Sequence, residues 1–247
     1  MDLTLDPRDV EAVRRMIGAG VRVIACTGRP FPGAIPWVER LGLDGPIVCY
    51  QGAQVRNLDG SVLLDHGIPH DIAMEVIRYA RESNLHIQAY RDDQLIVERD
   101  RREAHVYAQH ASMKVNVVGD LDTAMGATTP KLVIVAPPAT LEAILPDTRT
   151  RWAGRLNVAT STPDYLEFTS AGSDKASALQ FLCDLFGVAQ AEVAAVGDGR
   201  NDASMVAWAG FGVAVEGSPP ELMAAADRTI PGPGSGGIDQ LAEALLV

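Results

Sequence analysis

The sequence is poor in cysteine, lysine and aromatic residues, and it contains no long apolar run. Its three cysteines stand far apart, without the spacing of metal ligands, which is typical of reduced thiols buried in a cytoplasmic protein. No stretch of about 18 apolar residues occurs, so we expect no membrane span. The first ten residues carry acidic side chains and no apolar signal core, and we therefore expect a cytoplasmic location.

Positive charge is also scarce. There are 21 Lys and Arg residues against 32 Asp and Glu, which gives a formal net charge of -11. An acidic surface argues against sequence-independent binding of nucleic acid, because that requires basic patches. An anionic substrate remains compatible with this charge, since a bound divalent cation inverts the local field. With 247 residues, 47% of them hydrophobic, the chain can form one large domain or a domain with a sizeable insertion.

The two ends of the chain alternate helical stripes with short apolar strands that are bounded by glycine. Such strands are typical of a parallel sheet buried on both faces, and the alternation predicts a doubly wound α/β core. The segments that carry this pattern are a helix from residue 7, strands 21–26 and 46–50 around a helix at 34–41, a hairpin at 55–64, a helix at 174–186, and strands 193–196 and 212–215.

The middle of the chain has a different character. Its strands are short and have polar faces, which favours an antiparallel sheet with one face in water. We therefore predict that residues 1–66 and 166–247 form a Rossmann-like α/β core with a parallel sheet, and that residues 67–165 form an inserted α+β domain.

Two carboxylates and an amide follow the apolar strand at 193–196. They are Asp198, Asn201 and Asp202, and Gly197 and Gly199 let the backbone turn there. Ligands bind at the carboxyl ends of strands in open α/β sheets, and clustered hard oxygen donors suit Mg²⁺. A simple strand-to-helix turn, with Asn201 or Asp202 as the N-cap, is the alternative.

Two other segments carry residues suited to a phosphate. Thr27, Gly28 and Arg29 follow the strand at 21–26, where a hydroxyl and a guanidinium could hold one; a loop with a surface arginine is the alternative. Lys175 is one of only three lysines against eighteen arginines. It stands at a helix start, which the helix dipole disfavours, so it could pair with a phosphate; an ordinary surface lysine is the alternative.

Taken together, residues 26–30, 173–175 and 197–202 resemble the motifs of the haloacid dehalogenase superfamily, in the same order. The large insertion between the second and third motifs resembles more narrowly the cap of the Cof-type phosphatases. The resemblance covers nearly the whole chain. It implies an Mg²⁺-dependent phosphatase of small phosphorylated metabolites that forms a phospho-aspartate intermediate under a cap domain.

The resemblance also implies roles for individual residues. Thr27 would hydrogen-bond the phosphoryl group, and Lys175 would neutralise its charge and that of the nucleophile. Asp198 would ligate Mg²⁺ directly, Asp202 would support the metal shell, and Asn201 would position the phosphoryl group or the lysine. These roles suit phosphoryl transfer, in which positioning and charge neutralisation do most of the work.

One departure from the family is serious. The family's first motif, an Asp-x-Asp-Gly-Thr run after the first strand, carries the nucleophile and is absent from this sequence. Neither Asp2 nor Asp6 follows an apolar strand, so neither is assigned as the nucleophile. We expect a working protein to carry about 10–20 more residues upstream, enough for one strand and its motif. An intact mass that starts at Met1 would contradict this, and the 247-residue chain itself should be nearly inactive.

The absent strand would lie in the middle of the core sheet. Without it, its two neighbours would stand about 9–10 Å apart, twice the usual spacing, with unpaired backbone groups. The alternative function is a non-catalytic protein that binds a phosphorylated ligand. A nucleotide-binding domain ranks last, because no Gly-x-Gly-x-x-Gly run follows the first visible strand. The substrate and the oligomeric state stay open.

Overall fold

The first part of the core forms a four-stranded sheet that is covered by helices. The structure, a computed structural model, describes residues 5–246, so Asp2 lies outside the described residues. The sheet order is β1-β2-β3-β4; β1 and β2 are parallel, and the other pairs are antiparallel. The elements are α1 (Pro7–Gly18), β1 (Ala25–Cys26), α2 (Phe31–Leu41), β2 (Ile47–Cys49), β3 (Gln54–Arg56) and β4 (Val62–Asp65).

The insertion contains a six-stranded sheet of order β11-β12-β10-β6-β7-β8 and a two-stranded sheet of β5 and β9. All neighbours in the large sheet are antiparallel except β7 and β8. Its elements are β5 (Ile68–Pro69), α3 (His70–Glu82), β6 (His86–Arg91), β7 (Gln94–Val97), α4 (Arg102–Ala111), β8 (Val115–Val117), α5 (Leu121–Ala124), β9 (Thr128–Thr129), β10 (Leu132–Val135), α6 (Pro138–Arg151), β11 (Leu156–Thr162) and β12 (Tyr165–Ser170).

The core resumes after β12 with a three-stranded parallel sheet of order β13-β14-β15. Its helices and strands alternate, as the sequence predicts for a doubly wound fold. The elements are α7 (Lys175–Phe186), β13 (Ala194–Gly197), α8 (Ala203–Trp208), β14 (Phe211–Val215), α9 (Pro220–Ala225), β15 (Arg228–Ile230) and α10 (Gly237–Leu245).

Strand β2 shows why helices cover both faces of the core sheet. All three of its residues are buried, and successive side chains point to opposite faces. Ile47 and Cys49 join the apolar cluster that includes α1, α2 and α10. Val48 joins a different cluster, with Ala178 and Leu182 of α7. The predicted α/β class with helices on both faces is therefore confirmed.

The six-stranded sheet includes residues beyond position 165. Strand β12 pairs with β10 and with β11 over its whole length, so residues 166–170 belong to the six-stranded sheet. The prediction had placed these residues in the core. The pairing favours a boundary after Ser170, because a strand held between two neighbours cannot belong to another sheet.

The central strands of the insertion are buried on both faces, so the prediction of one wet face was wrong for them. Strand β10 is fully buried. Leu132 and Ile134 pack with the apolar residues of α3, whereas Val133 and Val135 pack with a cluster that includes residues of the core. Helix α4 of the insertion, which contacts β6, β8 and β10, therefore covers this face together with residues of the core, a packing that the polarity of a strand does not reveal.

Strands β1 and β13 mark a gap in the core. Among residues 5–246 each pairs on one side only, β1 with β2 and β13 with β14. Between them lies a groove of about 620 Å³, lined on its two sides by the apolar segments 21–24 and 193–196. Of the predicted strand at 21–26, only Ala25–Cys26 is hydrogen-bonded as a strand. The two strands that border the groove thus lie in separate sheets.

In the part of the chain that the structure describes, no helix is long and apolar enough to cross a membrane.

A buried histidine on β6 predicts a dependence of stability on pH. His86 is 5% exposed, and burial lowers its pKa, although a hydrogen bond with Gln88 acts in the opposite direction. Between the unfolded value of about 6.5 and the lower folded value, the unfolded chain binds more protons, so stability falls as the pH falls. His86→Gln should flatten this slope in urea midpoints measured from pH 7.5 to 5.5. The same slope in His86→Gln and in the exposed control His66→Gln would contradict the assignment.

Candidate active site

The loop after β13 folds back on itself around a buried carboxylate. Asp202 is 4% exposed, and its Oδ2 accepts hydrogen bonds from the backbone N–H groups of Asp198, at 3.0 Å, and Gly199, at 2.9 Å. A Cβ at Gly197 would lie 2.3 Å from the Cβ of Asp202, so only glycine permits this close approach. The loop therefore holds Asp202 inside and leaves the side chain of Asp198 exposed at the carboxyl end of β13.

Lys175 is the first residue of α7, and it reaches the same carboxylate. The helix begins with a capping box, in which Asp174 and Ser177 bond each other's backbone N–H groups. The Lys175 side chain is buried, and its ammonium pairs with Oδ1 of Asp202. A buried ammonium requires such a partner, because an unpaired charge is very costly to remove from water. The predicted lysine and the predicted acidic loop therefore meet.

The loop after β1 lies next to these residues. Its backbone is fixed by Thr27 N–H, which donates to the Val48 carbonyl at 2.8 Å, and by Thr27 Oγ1, which accepts from Arg29 N–H at 3.1 Å. The guanidinium of Arg29 turns aside and donates to the carbonyl of His110, on α4 of the insertion, at 3.0 Å. Thr27 is thus held at the end of β1, while Arg29 contacts the insertion.

Gln51 connects the three predicted motifs, and the sequence reasoning missed it. It has a φ of 62° within the turn Tyr50–Gly52, and its N–H donates to the Thr27 carbonyl at 3.2 Å. Its Oε1 accepts from Asn201 Nδ2 at 2.8 Å. A Cβ at Gly52 would lie 2.1 Å from the Asp174 carbonyl oxygen, which explains the glycine and places the turn against α7. The end of the buried strand β2 was the signal that could have found it.

Two charged residues of the insertion also reach the core. Lys131 is 1% exposed, and its Nζ lies 3.0 Å from the Gly28 carbonyl oxygen and 3.2 Å from Glu167 Oε1. Burial is the largest influence and acts to lower the pKa of Lys131, but the Glu167 carboxylate and the Tyr107 hydroxyl together outweigh it, so the pKa is raised and the ammonium stays charged. Ser161 also donates to Glu167 Oε1, at 2.8 Å. The polarity of these residues gave no sequence signal of a site, because their contacts are with distant segments.

The structure tests whether the residues present suit Mg²⁺. Within residues 5–246 no group of three or more His, Cys, Asp or Glu side chains is placed to hold a metal ion. Both oxygens of Asp202 already accept hydrogen bonds, whereas no hydrogen bond from the described residues reaches the Asp198 carboxylate. Mg²⁺ commonly takes one or two carboxylates and completes its shell with water and phosphate oxygens. The donor set therefore fits Mg²⁺, with Asp198 as the available ligand.

Comparisons with known proteins agree on one family. The family profile described as haloacid dehalogenase-like hydrolase matches residues 2–241. HMP-PP phosphatase of Serratia proteamaculans is 27% identical over 221 residues, covering 90% of this chain and 81% of its own. The phosphatase YitU of Bacillus subtilis, named for 5-amino-6-(5-phospho-D-ribitylamino)uracil, is 27% identical over 242 residues, covering 92% and 86%.

Solved structures agree with the sequence relatives. A haloacid dehalogenase-like hydrolase from Bacteroides thetaiotaomicron is 27% identical and superposes with a TM-score of 0.86, covering 97% of this chain and 92% of that chain. The protein TM0651 from Thermotoga maritima, also 27% identical, superposes with a TM-score of 0.83, covering 97% and 90%. The similarity therefore extends over both the core and the insertion.

Proposed function

Because the chain belongs to the haloacid dehalogenase-like hydrolases, with relatives named as phosphatases, we propose that it acts as an Mg²⁺-dependent phosphatase of small phosphorylated metabolites. The observation that carries the proposal is the buried pair of Lys175 and Asp202, which joins two distant motifs beside the exposed Asp198. Such an arrangement concentrates one cation and one available carboxylate at the carboxyl end of β13, where ligands of α/β folds bind.

In this proposal the chain's own residues bind and orient the phosphoryl group. The hydroxyl of Thr27 donates to a phosphoryl oxygen, and Gly28, beside which the Gln51 amide packs where a Cβ would lie 2.3 Å from its Nε2, supplies backbone contacts. Lys175 neutralises negative charge, and Asn201 fixes the position of the phosphoryl group. Arg29 supplies a second cation only if its guanidinium leaves the His110 carbonyl. Preorganised donors of this kind are the main source of catalysis in phosphoryl transfer.

The proposed metal site uses the two aspartates differently. Asp198 ligates Mg²⁺ directly, and Asp202 supports the metal shell from behind by holding the loop. When bound, the ion would polarise the phosphoryl oxygens and offset their charge. The roles of Asp198 and Asp202 are thus complementary, since one must be free and the other must be fixed.

Hydrolysis through a phospho-aspartate also needs a nucleophilic aspartate. Among the described residues, those that line the groove between β1 and β13 include no aspartate. We therefore place the nucleophile of the proposed reaction on an extended strand that would occupy this groove and end beside Thr27 and Asp198. The same observation favours a second candidate function, a protein that binds a phosphorylated ligand without hydrolysing it.

Binding of inorganic phosphate tests the site that both functions share. In calorimetric titrations with Mg²⁺ we expect saturable binding that is at least about tenfold weaker in Asp198→Asn, because the metal loses the carboxylate of this loop that accepts no hydrogen bond from the described residues. Chelation of Mg²⁺ should weaken wild-type binding to the same degree. Thr150→Val, a substitution on α6 of the insertion, is the matched control and should bind normally. Equal binding by wild type and Asp198→Asn, or no binding by either, would overturn the proposed site.

A further inference from the structure

A continuous chain of side-chain hydrogen bonds runs from the insertion to the loop that carries Asn201. Glu167, on β12, accepts from Gln51 Nε2 at 2.8 Å, and Gln51 Oε1 accepts from Asn201 Nδ2 at 2.8 Å. Three segments that are more than 30 residues apart in sequence are thereby joined through three side chains. The middle one, Gln51, belongs to the core turn between β2 and β3.

The chemistry of the groups sets the direction of every bond in this chain. An ionised carboxylate can only accept, so Glu167 requires that Gln51 turn its amide nitrogen toward it. The Gln51 oxygen then faces Asn201, which must in turn present its own amide nitrogen. The Asn201 oxygen is consequently left on the opposite side, where it lies 2.4 Å from the position of a Cβ at Gly199. A carboxylate in the insertion thus determines which atom of Asn201 faces the loop of Asp198.

The carboxylate that starts the chain is itself held firmly. Glu167 is 6% exposed and is bound by Lys131 and by the hydroxyl of Ser161. Lys131 also donates to the carbonyl of Gly28, and its Nζ lies 5.8 Å from the centroid of the Tyr90 ring. Two buried charges of the insertion therefore contact both the Gly28 loop and the Gln51 turn of the core. Separating them would leave each charge without its partner inside the protein, which is unfavourable.

We propose that Glu167 is a positioning residue: paired with Lys131, it fixes the amide of Gln51 and, through Gln51, the amide of Asn201. The packing of the insertion against the core thereby sets the geometry of the Asp198–Asp202 loop. The positioning is independent of any reaction. Its consequence for phosphate binding rests on the proposed function, and the two are tested by separate measurements.

Hydrogen exchange of the intact protein, followed by mass spectrometry, tests the positioning. The reporting segments are residues 27–33, 49–54 and 198–203, whose backbone bonds include Gln51 N–H to Thr27 O and Asp202 N–H to Gly199 O. In Glu167→Gln we expect roughly tenfold faster exchange in these three segments, because a charge-assisted hydrogen bond is lost. The control is Glu75→Gln, which replaces an exposed carboxylate of the same insertion that accepts two hydrogen bonds from Arg155.

A second variant covers the case in which Glu167→Gln leaves Lys131 unpaired and unfolds the insertion. The double variant Lys131→Met with Glu167→Leu keeps the volume and removes both charges, a replacement that buried pairs often tolerate. It should fold and should show the same faster exchange in the core segments. Exchange in residues 49–54 and 198–203 that stays within about twofold of the Glu75→Gln control in the folded double variant would overturn the proposal.

Titration of the same variants with inorganic phosphate and Mg²⁺ separates the two proposals. Faster exchange together with phosphate binding weakened by at least about tenfold supports the positioning and its use by the site. If the variants exchange faster but the wild-type protein binds no phosphate, the positioning is supported and the proposed function is contradicted. Wild-type phosphate binding and unchanged exchange in the double variant contradict the positioning alone.

Discussion

Asp202→Ala is expected to lower the free energy of unfolding by about 3–5 kcal/mol, the cost of leaving a buried ion pair without one partner. The carboxylate of Asp202 accepts from the ammonium of Lys175 and from the backbone N–H groups of Asp198 and Gly199. Lys175 is only 5% exposed, so water cannot readily replace the lost carboxylate. Urea denaturation followed by circular dichroism would measure the change.

Two further variants show whether the unpaired charge is the cause. Glu221→Ala removes the partner of Arg200 in an exposed ion pair near the same loop, and it should cost no more than about 1 kcal/mol. Lys175→Met combined with Asp202→Asn removes both charges and should recover most of the stability lost in Asp202→Ala. If Asp202→Ala costs no more than Glu221→Ala, then the buried pair does not hold the two motifs together.

An N-terminal extension that supplies a strand and a nucleophile should give the largest change in activity. We expect an extension of about eight apolar residues followed by Asp-x-Asp-Gly-Thr to raise the turnover of an aryl phosphate with Mg²⁺ by at least roughly 10³-fold, since removing a nucleophile can lower kcat by about 10⁶-fold. The groove between β1 and β13 is mostly apolar, and no strand of the described part of the chain pairs with the edges on its two sides, so an extended segment can hydrogen-bond to both.

The matched control is the same extension ending in Asn-x-Asn-Gly-Thr. It can fill the groove and pair with both strands, so it should raise stability as much as the aspartate form while leaving turnover low. Equal turnover by the 247-residue chain and by the aspartate form would contradict the view that the nucleophile is absent from this chain. Phosphate binding with no turnover by any form would favour the non-catalytic binding protein.

The sequence predicted the elements whose evidence is local. Glycines and polar side chains at strand ends located the Thr27 and Asp198 loops, because such residues are expected where a parallel strand meets a ligand. The helix at Lys175 was predicted from its start signals, and it begins there. Helix α6 shows the limit of such local signals: a proline inside a helix commonly breaks it, yet α6 continues past Pro146 to Arg151 with Thr148 buried.

The contacts between distant segments could not be predicted from the sequence. Gln51 stands at the end of the buried strand β2, but this position does not reveal its partners Glu167 and Asn201, and no local pattern marks Lys131 as a bridging residue. Their contacts depend on how the insertion packs against the core. The polarity of the insertion's strands had instead predicted that one face of its sheet meets water. The side chain of Arg29 shows the same limit, since its sequence position suggests a phosphate contact but the His110 carbonyl offers a nearer acceptor.

The scarcity of lysine gives this protein a simple chemical property. Two of its three lysines, Lys131 and Lys175, are 1% and 5% exposed, and both are paired with carboxylates at the contact between the insertion and the core or at the candidate site. Lys114 is exposed on the insertion. An amine-reactive reagent therefore meets Lys114 in the folded protein and meets the other two side chains only when the insertion lifts away or the loop of Asp202 opens.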